Sequence, residues 1–289
     1  MTFNSGAELG GTTARKRGGL VAGGVGVAGL GGLAILLLNL FTGGDIGGLL
    51  GLGDGSGGAP ASETVVADCE VGADANSDDE CRLVFGQRVL DLYWQDHVQG
   101  YRPPQLIVVD GQTSTACGTA SNQTGPFYCP PEETIYVDPD FFGLLRTQFD
   151  TSAGELAQLY VLAHEYGHHI QQITGVFDAY PPNGTGPESN GVRTELQADC
   201  LAGAWVASAS QEVDANGVPY LQAPTEAQLR DALDAAAAVG DDHIQAQSGA
   251  VNPESWTHGS SEQRRAWFTA GYQNGLSACD TFEIPGSSL

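Results

Sequence analysis

Apolar and polar positions along the chain fall into stretches of different period. From Cys81 to Gly100, CRLVFGQRVLDLYWQDHVQG repeats apolar residues at helical steps and stops at a glycine, which predicts a helix. QLIVVD (105–110) and TIYVD (134–138) are short apolar runs rich in β-branched residues and predict strands. Between them, TACGTASNQTGPFYCPP reads as a loop or hairpin with an embedded extended piece. A second helix is predicted over Gly154–Ile173, where Leu156, Leu159, Ala163, Gly167 and Ile170 recur at three- and four-residue steps. Two more are expected over Thr194–Ser210 and Thr225–Gly240. A last one begins after Gly259, where Ser260 and Gln263 have the spacing of a capping box. The pattern as a whole predicts an α+β domain, mainly helical with a small sheet.

The first sixty residues follow another rule. Arg15, Lys16 and Arg17 precede 27 residues, Gly18 to Gly44, without a charge. At ~1.5 Å per residue such a run is long enough to cross a bilayer core of about 30 Å. The expectation is a cytoplasmic N-terminus (1–17), one transmembrane helix (18–42), a Gly-rich linker (43–62) and an extracytoplasmic domain (63–289), a single-pass protein of the cell membrane. The alternative is a cleaved signal peptide, but the run exceeds the usual ~7 to 15 residue apolar region and no good cleavage site closes it.

Charge narrows the partners. Eleven basic against 35 acidic residues give a net charge of −24, and Lys16 is the only lysine. Nucleic acid is excluded as a partner, because binding it needs a basic face. All six cysteines follow the linker, and an even count on the side expected to be exported fits disulfides. Nearest-neighbour pairing would join Cys69 to Cys81, Cys117 to Cys129 and Cys200 to Cys279.

The chemistry sits in LYVLAHEYGHHIQQITG (159–175), which holds the pattern His-Glu-x-x-His. On a helix, His164 and His168 lie one turn apart and can reach a single ion, with Glu165 beside them as a general base for a water. The alternative is an amphipathic helix that happens to hold histidines. A catalytic zinc takes three protein ligands, and RTELQADCLAGAW offers Glu195, 27 residues after His168, with Asp199 one turn on to orient a ligand imidazole. In isolation that segment reads rather as an acidic surface turn, and it is the His-Glu-x-x-His motif that turns the reading toward a ligand. His169 points away from His168 and reads as surface or as a neighbour of the site. His97 and His243 have no partner motif. His258, just before a helix start, has either an active-site role or a structural one in the turn.

HEYGHHIQ, ELQADCLAGAW, THGSSEQR and the earlier ACGTA, GPFYCP and IYVD, followed by FF, occur in this order. In this the chain resembles the bacterial neutral zinc metallopeptidases from about Cys69 to Cys279, and more distantly the gluzincin peptidases. The resemblance implies a zincin-like fold, Zn2+ held by His164, His168 and Glu195, Glu165 as general base, and a peptide or protein substrate. His258 would then donate a hydrogen bond to the oxyanion at the mouth of the site. A second class of function is a non-catalytic zinc-binding module for envelope assembly; an intact Glu165 favours the enzyme.

Overall fold

The computed structural model describes residues 1–18, 63–66, 68–148, 151–247 and 249–289. Its architecture is α+β, with helices laid against one small sheet. The strands are β1 (Arg15–Gly18), β2 (Glu63–Val65), β3 (Gln105–Asp110), β6 (Phe127–Cys129) and β7 (Thr134–Val137), in the order β2-β1-β3-β7-β6. β1, β3 and β7 run parallel, while β2 and β6 are antiparallel edges. A separate hairpin joins β4 (Gln112–Thr115) to β5 (Gly118–Ser121).

The unbroken apolar runs of β3 and β7 follow from coverage on both faces, the usual condition of parallel strands. Leu106, Val108, Ile135 and Val137 face the main core under the helices. Ile107, Val109 and Tyr136 point the other way, into a small cluster with Ala120 of the hairpin and with Phe127 and Cys129 of β6.

The helical layer comprises α1 (Gly72–Ser77), α2 (Asp79–His97), α3 (Asp140–Gln148), α4 (Glu155–Ile173), α5 (Val176–Ala179), α6 (Asn190–Ser208), α7 (Glu226–Ala238), α8 (Asp241–Gln247) and α9 (Ser261–Asn274). The helices expected from periodicity are α2, α4, α6, α7 and α9. The capping box at Ser260 and Gln263 is formed. α4 lies at the centre, packed on α2, α6 and α7, and α9 packs along α6. Gly167 makes the α4–α6 contact possible: a Cβ there would sit 2.9 Å from Ala198 Cα. Gly203 and Gly271 do the same for α6 and α9, each lying against backbone of the facing helix. Three disulfides join Cys69 to Cys81, Cys117 to Cys129 and Cys200 to Cys279, the expected pairing.

The expected division at residue 63 needs correction. Residues 1–18 are built into the same body as the rest: Met1, Phe3, Ala7, Leu9 and Ala14 belong to the main core, and β1 is a central strand of the sheet. Phe3 packs edge-on against Phe85 at 5.4 Å, and Asn76 brackets its backbone from both sides. The segment escapes a reading of periodicity because β1, Arg-Lys-Arg-Gly, contributes backbone hydrogen bonds more than buried side chains. Apart from Gly18, the span expected over 18–42 and the linker 43–62 lie outside the described residues. Among the described residues no helix is long and apolar enough to cross a membrane.

Candidate active site

His164 and His168 project from one face of α4, one turn apart, with ring centroids 4.8 Å apart. α6, started by Ser189 accepting a hydrogen bond from the Val192 N–H, brings Glu195 against both. Glu195 Oε2 lies 3.2 Å from His164 Nε2, and Oε1 lies 3.4 Å from His168 Nε2. One ligand atom from each residue falls within 4.8 Å of the other two, and all three residues are buried. Burial works to raise the Glu195 carboxyl, but His168, His164 and His258 outweigh it and hold it well below the usual carboxylate range.

The outer ring nitrogens settle which atoms face inward. His164 Nδ1 lies 2.8 Å from Asp199 Oδ1, and a carboxylate can only accept, so this nitrogen carries the proton. His168 Nδ1 lies 2.9 Å from Gln171 Oε1. The Gln171 amide nitrogen donates to Thr194 O at 2.8 Å and to Gln197 Oε1 at 3.0 Å, which leaves Oε1 as the acceptor. With both Nδ1 atoms engaged outward, both Nε2 atoms face the Glu195 carboxylate, His164 Nε2 within hydrogen-bond distance of Oε2. Once Nε2 is free of its proton, each imidazole can offer a lone pair to an ion that Glu195 also reaches. Two imidazoles and a carboxylate form a donor set that suits zinc.

Glu165 is buried beside this set. Burial pushes its carboxyl up, His168 and His164 pull it down, and the Tyr128 backbone N–H donates to it; the net direction is up. Tyr128 belongs to the edge strand β6, which the Cys117–Cys129 disulfide ties to the hairpin.

His258 reaches the site from the turn before α9. Its Nδ1 lies 3.1 Å from Asp241 Oδ1. Asp241 Oδ2 accepts from the backbone N–H groups of Thr257, His258 and Gly259 at 2.7, 2.6 and 3.0 Å, which locks the turn. His258 Nε2 is buried with no hydrogen-bond partner among the described residues, and His258 lines the same cavity as His164, Glu165, His168 and Glu195. The cavity holds about 350 Å³. Phe127, Phe141, Val161, Phe177, Tyr180 and Ile244 supply its apolar walls.

The structure thus brings together His164, Glu165, His168, Glu195, Asp199 and His258, the residues singled out from sequence. His169 is no ligand, as its direction on the helix implied, but the surface position considered for it is wrong. It is fully buried, with Nε2 2.7 Å from Arg102 O and Nδ1 3.1 Å from the Tyr128 hydroxyl, tying α4 to the sheet. Sequence reasoning missed Gln171, Asp241, Tyr160 and Arg264. Gln171 stands three residues after His168, on the same helix face, which could have drawn notice. Asp241 and Arg264 meet their partners only through the tertiary fold.

Comparison with known proteins gives a consistent result. Residues 4–282 match the profile of the family described as "Putative neutral zinc metallopeptidase". The chain is 50% identical over 220 residues to "Uncharacterized protein Rv2575" of Mycobacterium tuberculosis, a match covering 75% of each chain. It is 42% identical over 189 residues to "Uncharacterized protein YpfJ" of Escherichia coli K12, covering 63% of this chain and 62% of that one. No solved structure matches it.

Proposed function

The chain belongs to the neutral zinc metallopeptidase family, and from that premise we propose that it hydrolyses internal peptide bonds with His164, His168 and Glu195 holding zinc. The observation that carries this reading is the convergence of three buried ligand atoms beside Glu165, at the floor of an apolar cavity. Zinc, when bound, supplies a Lewis acid that lowers the pKa of water toward ~7. Glu165, buried and held above the usual carboxylate range, accepts the proton of the attacking water and passes it to the leaving amine. His258, its Nδ1 turned to Asp241, presents Nε2 to the cavity and donates to the oxyanion that develops on the substrate carbonyl.

The walls point to substrates with bulky apolar side chains. Among the described residues lining the cavity, Arg264 is the arginine and it is committed to Asp199 rather than free to take a terminal carboxylate; this favours internal bonds. Three disulfides support work outside the cytoplasmic membrane. The uncharged run Gly18–Gly44 would provide the membrane attachment. Its two flanks are paired neighbours in the sheet, Arg17 opposite Glu63, so both lie on the domain's side.

Three alanine variants test the assignment. Glu195→Ala should lose zinc. Asp199→Ala should bind it about 10- to 100-fold more weakly. His258→Ala should bind it fully and turn over roughly 10²- to 10³-fold more slowly. Zinc lost from His258→Ala but kept by Glu195→Ala would replace this ligand set with three histidines.

A further inference from the structure

Arg264, on the first turn of α9, is almost fully buried and reads both oxygens of Asp199: Nε donates to Oδ2 at 2.7 Å and Nη2 to Oδ1 at 2.9 Å. Nη2 also lies 3.3 Å from the Tyr160 hydroxyl, and Nη1 donates to Val239 O at 3.4 Å. Tyr160 in turn donates to Asp199 Oδ1 at 2.5 Å.

We propose that Arg264 is a positioning residue for the metal: by clamping the plane of the Asp199 carboxylate, it aims Oδ1 at His164 Nδ1 and so holds His164 Nε2 toward the ion. Asp199 is fully buried, and a lone carboxylate there would be costly unless paired. The bonds from His164 and Tyr160 both fall on Oδ1, which leaves Oδ2 unheld and the carboxylate free to turn about its last torsion. Two parallel bonds from a planar fork remove that freedom, which a lysine ammonium cannot do. The fork is itself registered by the α9 capping box at Ser260 and Gln263, two residues beyond His258. One helix start therefore sets both His258 and, through Asp199, His164. This inference rests on the zinc reading of the site.

The test is zinc affinity of the full chain, measured by chelator competition for wild type, Arg264→Met, Arg264→Lys, Asp199→Asn and Arg264→Met/Asp199→Asn. Histidine NMR of the metal-free proteins follows the His164 ring proton. Wild type that binds no zinc overturns the zinc reading and this inference with it. With wild type binding zinc, Arg264→Met should weaken it about 10- to 100-fold and Arg264→Lys only partly restore it. In Asp199→Asn, adding Arg264→Met should change affinity by less than ~3-fold, because the arginine has lost the group it acts through. The double variant removes both buried charges together, which keeps the comparison open if Arg264→Met alone fails to fold. The Nδ1–H signal of His164 should be sharp in wild type and lost in Arg264→Met. An undiminished affinity in Arg264→Met, or the same loss in the Asp199→Asn background as in wild type, overturns the proposal.

Discussion

Asp199, fully buried, and Asp91, half-buried, are both carboxylates set against α4, yet their surroundings drive them in opposite directions. For Asp199 burial alone would raise the pKa, but Arg264 and His164 outweigh it and hold it at about 2. Asp91 accepts hydrogen bonds from the Tyr101 and Tyr166 hydroxyls at 2.6 and 3.0 Å, but burial outweighs these bonds and the charge of Arg88 and pushes it up to about 6. The fold therefore prefers Asp91 protonated. Its contribution to stability is fully present below the unfolded value near ~4 and is lost as pH rises through about 6. Asp91→Asn keeps the acceptor for both tyrosines and removes the titration. Thermal melts at pH 4 and pH 7 should show the variant gaining on wild type by on the order of 2–3 kcal/mol across that interval. Parallel curves for the two proteins would remove Asp91 from the account.

Among the elements, α4 and α6 make the site, and their closeness depends on Gly167 facing Ala198. A methyl at residue 167 would meet the Ala198 backbone at 2.9 Å, too close for a real contact, so the helices would have to part and Glu195 would move away from the two histidines. Gly167→Ala should cost about 1–3 kcal/mol of stability and weaken zinc binding as well, measured by melting and chelator competition. A variant that melts earlier but binds zinc as wild type does would show that the helix spacing does not set the ligand geometry. The same elements explain what was legible in the sequence. His164, Glu165 and His168 share one helix, so their relation is fixed by the helical repeat and can be read directly. Glu195 and Asp199 have that relation to each other, but their distance from the histidines depends on how α6 packs. The links from Asp241 to His258 and from Arg264 to Asp199 span loops, and no local period encodes them. β1 escaped for a different reason: its strand is held by its neighbours' backbone, and three basic side chains disguise it.

For the molecule as a whole, the N-terminal residues are part of the scaffold on which the site stands. Thr2 donates to Glu155 at 2.7 Å, at the first residue of α4, and Phe3 pairs with Leu221 in the loop before α7. Phe3→Ala should lower stability by about 3–5 kcal/mol, as for a buried core phenylalanine. An unchanged melting temperature would mean that residues 1–18 are a detached tail. Around the candidate ligands the cavity walls are largely apolar. In the proposed function, metal ligands and general base are separable at the cavity floor, because Glu165 is absent from the candidate ligand set. The most direct measurement is cleavage of a peptide library by zinc-loaded wild type and zinc-loaded Glu165→Gln, with bound zinc determined in both. The account predicts equal zinc in the two, cleavage by wild type, and loss of nearly all turnover in the variant. Cleavage by Glu165→Gln at the wild-type rate would contradict it, and zinc binding without cleavage by wild type would make the protein a binding module.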